Sequence, residues 1–203
     1  MSENVAQLER LDSAGRELLF THARTAYSFA DTPVSDEQLE EIWSLAKWAP
    51  TGANLQPLRV QYVRTEAGKQ RLVPLLDEMN RAKTTSAPVA AILAVDTRFH
   101  EHVPTVMPVK PELQDFFEAN PEMREGLGGF NGSIQVGYFI LAVRAAGLAA
   151  GPMGGFDKAA VDAEFFPGGR YRSQLVVNIG HPAGEPEFPR LPRLDHDTAL
   201  TWA

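Results

Sequence analysis

The sequence predicts an α/β or α+β fold in which one sheet carries helices on both faces. Three observations lead there. Strand-like and helix-like periodicities alternate along the chain. The run from Val89 to Val95 is apolar without interruption, as in a central strand covered on both sides. The stretch from Ser133 to Ala146 is apolar nearly all round, which reads as a buried helix.

The elements follow in order. Leu8, Leu11, Leu18 and Leu19 recur near helical spacing and predict a helix over 5–22. Ser35 with Gln38 three residues later makes a capping-box pattern, and Leu39, Ile42, Trp43 and Ala46 continue a helix that must end before Pro50. Leu58, Val60 and Tyr62 alternate with Arg59 and Gln61, which predicts a strand with one buried face. Leu72, Val73, Leu75, Leu76 and Met79 predict an amphipathic helix over 66–79, and Asn80 to Lys83 would close it. After the strand at 89–95, residues 96–127 are irregular and read as an insertion or lid, with a short helix near 115–118. Gly126 to Gly129 reads as a loop. Gly147 is placed to end the buried helix in a left-handed conformation. Asp157 should cap a helix reaching about Phe165, and 174–180 a strand feeding a Pro-rich tail at 182–193. With 203 residues and no long linker, a single domain over 1–203 is expected, with an extension from about 182.

Composition narrows the function. The net charge of −7 argues against a broad nucleic-acid footprint, although two or three local cations could still hold one phosphate. The absence of cysteine removes disulfide scaffolds, thiolate metal sites and Cys nucleophiles. No signal-peptide pattern opens the chain, and Ile134–Leu148 is too short and too polar to span a bilayer, so a cytoplasmic protein is expected. No GxGxxG, GKS/T or GxSxG motif occurs. His100 and His102 lack further ligands at helical spacing, which points to a solvated loop and no metal.

Four stretches remain as candidates. Between Pro50 and Pro57, Asn54 and Gln56 offer two amides that suit a planar heterocycle, though Asn and Gly also serve ordinary turns. Asn80 and Lys83 share a helical face, where the lysine holds an electron-rich ring or merely complements a helix end. Gly151, Pro152, Met153, Gly154 and Gly155 form a loop that lets backbone approach a ligand closely. Arg190 and Arg193 in the tail, with Arg24 near the start, are forks suited to phosphate or carboxylate.

Together these stretches resemble the nitroreductase family of flavin enzymes, from about residue 20 to 195. The resemblance rests on Ala23–Arg24–Thr25, on Trp48 to Pro57 (WAPTGANLQP) and on Thr85 to Pro88 (TSAP). It continues through Gly151 to Asp157 (GPMGGFD), Asn178–Ile179–Gly180 and Arg190 to Leu194 (RLPRL). It is nearest the branch that includes malonic semialdehyde reductase. It implies an α+β fold with a mixed, mainly antiparallel sheet flanked by helices, in an intertwined homodimer. FMN would lie at the dimer interface and NAD(P)H would be the electron donor. Arg24 and Thr25 would meet the phosphate and ribityl chain, Asn54 and Gln56 would reach the partner's flavin, and Asn80 and Lys83 would face the pyrimidine edge. Pro152, Met153, Gly154 and Gly155 would run beside the ring, and Arg190, or else Arg193, would hold the phosphate. No side chain need act as catalyst, because the flavin carries the chemistry and Lys83 gives electrostatic support.

Three departures stand out: Tyr27 in place of a second basic residue, Gly154 in place of an acidic one, and Leu58 in place of a Trp. The implied activity is ping-pong hydride transfer to a small electrophile, such as malonic semialdehyde going to 3-hydroxypropanoate. The alternatives are a general nitroaromatic or quinone reductase and a non-catalytic flavin-binding protein.

Overall fold

The computed structural model describes residues 8–184 and 189–203. Its centre is a four-stranded sheet formed by β1 (Leu58–Val63), β2 (Val89–Asp96), β3 (Ala149–Met153) and β4 (Tyr171–Gly180), in the order β1-β2-β4-β3. Every pairing in it is antiparallel. Alternation along the strands sends side chains to two cores. Leu58, Val89, Ala91, Leu93, Val177 and Ile179 pack on one face beneath α2 (Asp36–Ala46) and α7 (Pro121–Ala145). Val63, Ala90, Ile92, Ala94 and Val176 pack on the other with Leu72 of α3 (Glu66–Leu72) and Val161 of α8 (Lys158–Phe165). Every residue of β2 is buried, as its unbroken apolar pattern requires.

Local rules explain the elements that match expectation. Ser35 caps α2 through the Gln38 N–H while the Gln38 side chain accepts from the Ser35 N–H, so the capping box is complete. Asp157 accepts from the Ala160 N–H at the start of α8. Gly147 turns the chain after α7 with φ +75°.

Elsewhere the structure corrects the sequence reading. The expected helix over 5–22 begins only at α1 (Ser13–Arg16), where Asp12 accepts from the Gly15 N–H, and continues as a wider turn to Thr21. Residues 5–7 lie outside the described residues. The helix expected over 66–79 is broken: Pro74 sits in a tight turn at Val73–Leu75, and Leu76 is extended and bridges Phe156. A separate helix, α4 (Glu78–Ser86), follows and leaves Met79 exposed. The segment 96–127 is not irregular. It holds a turn at Phe99–His102 with α5 (Val103–Val106) and α6 (Leu113–Ala119), closed over Leu55, Phe99, Val103 and Phe117.

The buried helix starts twelve residues earlier than expected, at Pro121, and takes in the supposed Gly126–Gly129 loop. Gly128 and Gly132 serve close packing, since a Cβ on Gly132 would lie 2.6 Å from Val95 Cγ2. Only one face of α7 is buried in the chain. Phe130, Ile134, Tyr138 and Leu141 follow at helical spacing along the other, which is open or half-open. Finally, Gly151–Met153 is not loop but part of edge strand β3, where Pro152 is tolerated; only Gly154 and Gly155 turn away. Part of the Pro-rich tail, residues 185–188, lies outside the described residues.

Candidate functional site

Segment 23–28 runs along the outer side of β3, tied by the Ala26 N–H to the Ala150 carbonyl at 3.0 Å. Its side chains open a cleft of about 290 Å³ lined by Arg24, Thr25, Tyr27, Arg144, Pro152 and Arg190, with Arg193 at its edge. The structure brings the expected residues Arg24, Thr25, Pro152, Arg190 and Arg193 together, although Arg24 and Arg190 lie at opposite ends of the chain. Arg190 Nη2 donates to the Ala23 carbonyl at 3.1 Å. Arg193 turns back onto the Leu191 and Pro192 carbonyls.

Helix α4 approaches the cleft through Tyr27. Lys83 Nζ stands 5.1 Å from the centroid of the Tyr27 ring, so the departure at position 27 has a contact with the lysine expected to serve the site. Asn80 is buried and its Nδ2 donates to the Gly155 carbonyl at 2.8 Å. The Asp77 N–H reaches the same carbonyl at 3.1 Å. Asn80 therefore fixes the turn after β3, while Gly154 is exposed with no atom where a Cβ would point. Met153 is buried beneath the turn, with its sulfur 3.7 Å from Thr84 Oγ1. Thr84 in turn bonds Asn178, which ties the Asn178–Gly180 motif to the same helix.

Asn54 and Gln56 are not in this cleft. They sit in a loop where Ala53, Asn54 and Gln56 all have positive φ, at 49°, 54° and 45°. Three non-glycine residues in that region store strain, which persists only when neighbours over-determine it. Here Asn131 of α7 accepts from the Gly52 N–H at 2.7 Å, and Thr51 Oγ1 from the Gln56 N–H at 3.3 Å. Leu55 is buried in the cluster beneath. Asn54 Nδ2 donates to the Val106 carbonyl, and Gln56 Nε2 to Asn54 Oδ1. Leu58, the third departure, is buried and its N–H donates to Gln135 at 2.9 Å.

Two groups escaped the sequence reading. Arg144 figured only as an interruption of an apolar helix, yet its guanidinium lines the cleft and donates to the Arg24 carbonyl. Burial, and then the charge of Arg190, lower its pKa from the ordinary value. Asp96 ends the apolar strand β2 fully buried, between Arg59 at 3.0 Å and Arg170 at 2.9 Å. Burial alone would raise its pKa, but the hydrogen bonds from Arg170 and the Arg98 N–H and the charges of both arginines hold it below the usual carboxylate range. The signal for it was a lone acid closing a central strand. His100 is likewise not a solvated loop residue: it is buried and its Nε2 lies 2.5 Å from Glu118.

Residues 21–181 match the Nitroreductase family. The chain belongs to that family. It is 63% identical over 196 residues to a Streptomyces coelicolor protein provisionally named NADH dehydrogenase/NAD(P)H nitroreductase, covering 97% of each. Among solved structures, a provisionally named nitroreductase of Bacillus subtilis superposes with TM-score 0.81 at 22% identity, over 94% of this chain and 99% of that one. One from Exiguobacterium sibiricum, solved in complex with FMN, gives 0.77 at 19%, over 98% and 100%. At such identities these structures speak for the fold, which is α+β with an antiparallel sheet. Neither the family nor the named relative carries the malonic semialdehyde branch to this nitroreductase.

Proposed function

We propose that this nitroreductase is a homodimeric, FMN-dependent NAD(P)H oxidoreductase that reduces a small electrophile. The observation that carries the reading is the division of the candidate site. An arginine-lined cleft is built within the chain, and a strained two-amide loop is presented away from it. Two copies related by a twofold axis would bring the loop of each to the cleft of the other, across the apolar face of α7 left open at Phe130, Ile134, Tyr138 and Leu141. The complex of the Exiguobacterium relative with FMN and the NAD(P)H names of the curated relatives support the choice of cofactor and donor.

The donor set fits such a group. Arg24, Thr25 and Arg190 offer guanidinium and hydroxyl donors to a phosphate and polyol, and the exposed Gly154 backbone leaves room for a flat ring. Bound FMN would supply the hydride chemistry between nicotinamide and substrate. The chain's own tasks are then to grip the phosphate, to hold the Gly154–Gly155 turn through Asn80, and to keep the Lys83 charge beside the cleft. Segment 96–127, packed against the loop that carries Asn54, would cover the substrate side of the partner's site, and the tail beyond 182 would close the phosphate end.

The full chain should purify yellow, as a dimer with about one FMN per chain. Light scattering and the visible spectrum check this, and NAD(P)H added without oxygen should bleach the colour. A flavin that stays oxidised would favour the non-catalytic binder, and a colourless monomer indifferent to added FMN would end the reading. Steady-state rates on malonic semialdehyde, quinones and nitroarenes then choose between the semialdehyde reductase and the general nitroaromatic or quinone reductase.

A further inference from the structure

Arg144 stands where two spaces meet. On one side is the cleft with Arg24, Arg190 and Arg193. On the other is a chamber of about 610 Å³ that also reaches His22, Ser28 and Pro182. The side chain is half-buried in the last turn of α7. It donates to the Arg24 carbonyl, while Arg190 donates to the neighbouring Ala23 carbonyl. Two guanidiniums are thereby pinned to adjacent peptide units, near enough for the charge of one to act on the other. Among the described residues neither forms an ion pair with a carboxylate. Like charges held together at a partly dry site are unfavourable, and an anion between them removes the penalty and gains charge-assisted hydrogen bonds.

We infer that Arg144 is a phosphate ligand, forming with Arg190 a two-guanidinium clamp for a phosphate monoester. The inference rests on the flavin reading for the identity of that ester, the terminal phosphate of FMN. A planar fork already fixed by one backbone bond keeps donors for a tetrahedral anion and loses little freedom on binding. The competing role is purely architectural: a cation at a helix C-terminus complements the macrodipole and ties down segment 23–28.

The test uses the full chain freed of flavin and titrated with FMN, with riboflavin and with inorganic phosphate. Arg144→Gln should weaken FMN about tenfold to a hundredfold and leave riboflavin within about twofold, so that discrimination by the phosphate collapses. Arg144→Lys, which keeps the charge, should recover part of it. Phosphate should raise the melting temperature of the wild type and not of Arg144→Gln. Equal weakening of both flavins, or no weakening of FMN in a folded variant, overturns the inference. Should the wild type bind no flavin yet be stabilised by phosphate through Arg144, the clamp stands and the flavin reading falls.

Discussion

The two ends of α7 handle charge in opposite ways. Around its N-terminal end the arginines are matched with acids: Arg124 with Glu118, Arg59 and Arg170 with Asp96, and Arg170 and Arg98 with Glu101. At its C-terminal end Arg144, Arg190 and Arg193 bond only backbone carbonyls among the described residues. Matched charge is architecture, because pairing satisfies it inside the chain. Unmatched charge around a cleft is a demand that a ligand must meet. One helix thus joins a closed network, beside which its Asn131 fastens the strained loop, to an open one.

The sharpest break of this comparison lies between the ends. If a second copy joins the loop of one chain to the cleft of another, a charge on the open face of α7 should abolish both. Tyr138→Asp with Phe130→Asp is expected to give a folded monomer that retains no FMN, read by light scattering and absorbance. A monomer that still holds flavin would show the C-terminal end to be sufficient alone.

Breaking the closed network comes next. Asp96→Asn should destabilise the fold by about 3 kcal/mol, because Arg59 loses its acid and Arg170 keeps only Glu101, and urea unfolding would measure it. The arginines are partly exposed, so the low end of the range for buried pairs applies. The pH dependence has a definite sign. The folded pKa of Asp96 is depressed, so its contribution is complete above the ordinary carboxylate pKa of about 3.9 and is lost as pH falls through the folded value. The gap between wild type and Asp96→Asn should therefore close in acid. A gap constant with pH would mean that packing, not charge, is what the acid supplies.

What was legible in the sequence follows the range of the forces involved. The capping box at Ser35, the caps at Asp157 and Gly147, and the apolar run of β2 are local and announce themselves within a few residues. Strand β3 did not, because Gly151 and Pro152 are poor strand formers that only an edge position beside β4 and segment 23–28 makes acceptable. The break at Leu76 was hidden because a bridge to distant Phe156 selects the extended conformation there. The first turns of α7 were hidden because their glycines read as a loop, whereas Gly128 permits close contact with Val95 and Phe99 inside the helix. For the candidate site, residue chemistry singled out Arg24, Pro152 and Arg190, whereas Thr25 and the grouping of all four came from the resemblance. Arg144 was missed because nothing in an apolar helix tells where its one cation will point.

The strained loop offers a smaller and more specific break. Asn54→Ala and Gln56→Ala should each weaken FMN by about 1–3 kcal/mol, or roughly five- to 150-fold, as expected for losing one buried hydrogen-bond partner. Melting temperatures should change little, since the loop's strain is held by Thr51, Leu55 and Asn131. Unchanged FMN affinity in both variants would return the loop to ordinary turn chemistry.

Lys83 gives the smallest expected effect and the finest test of the open end. Its ammonium is held near the ring of Tyr27, which lines the cleft, in the last turn of α4. Reduction adds negative charge to a flavin ring, so a cation fixed nearby favours the reduced state over the oxidised one and raises the potential. Lys83→Met should lower the midpoint potential of bound FMN while leaving oxidised FMN binding nearly unchanged. Losing about 1.4 kcal/mol from the reduced state alone corresponds to tenfold, or about 30 mV for two electrons. Tyr27→Phe keeps the ring and should leave the potential in place, whereas Tyr27→Leu removes the ring contact of the ammonium and should move it part of the way. If Lys83 serves only the end of α4, its loss costs a few tenths of a kcal/mol of stability and no potential. A potential that stays put while the melting temperature falls would make Lys83 a structural cation of α4.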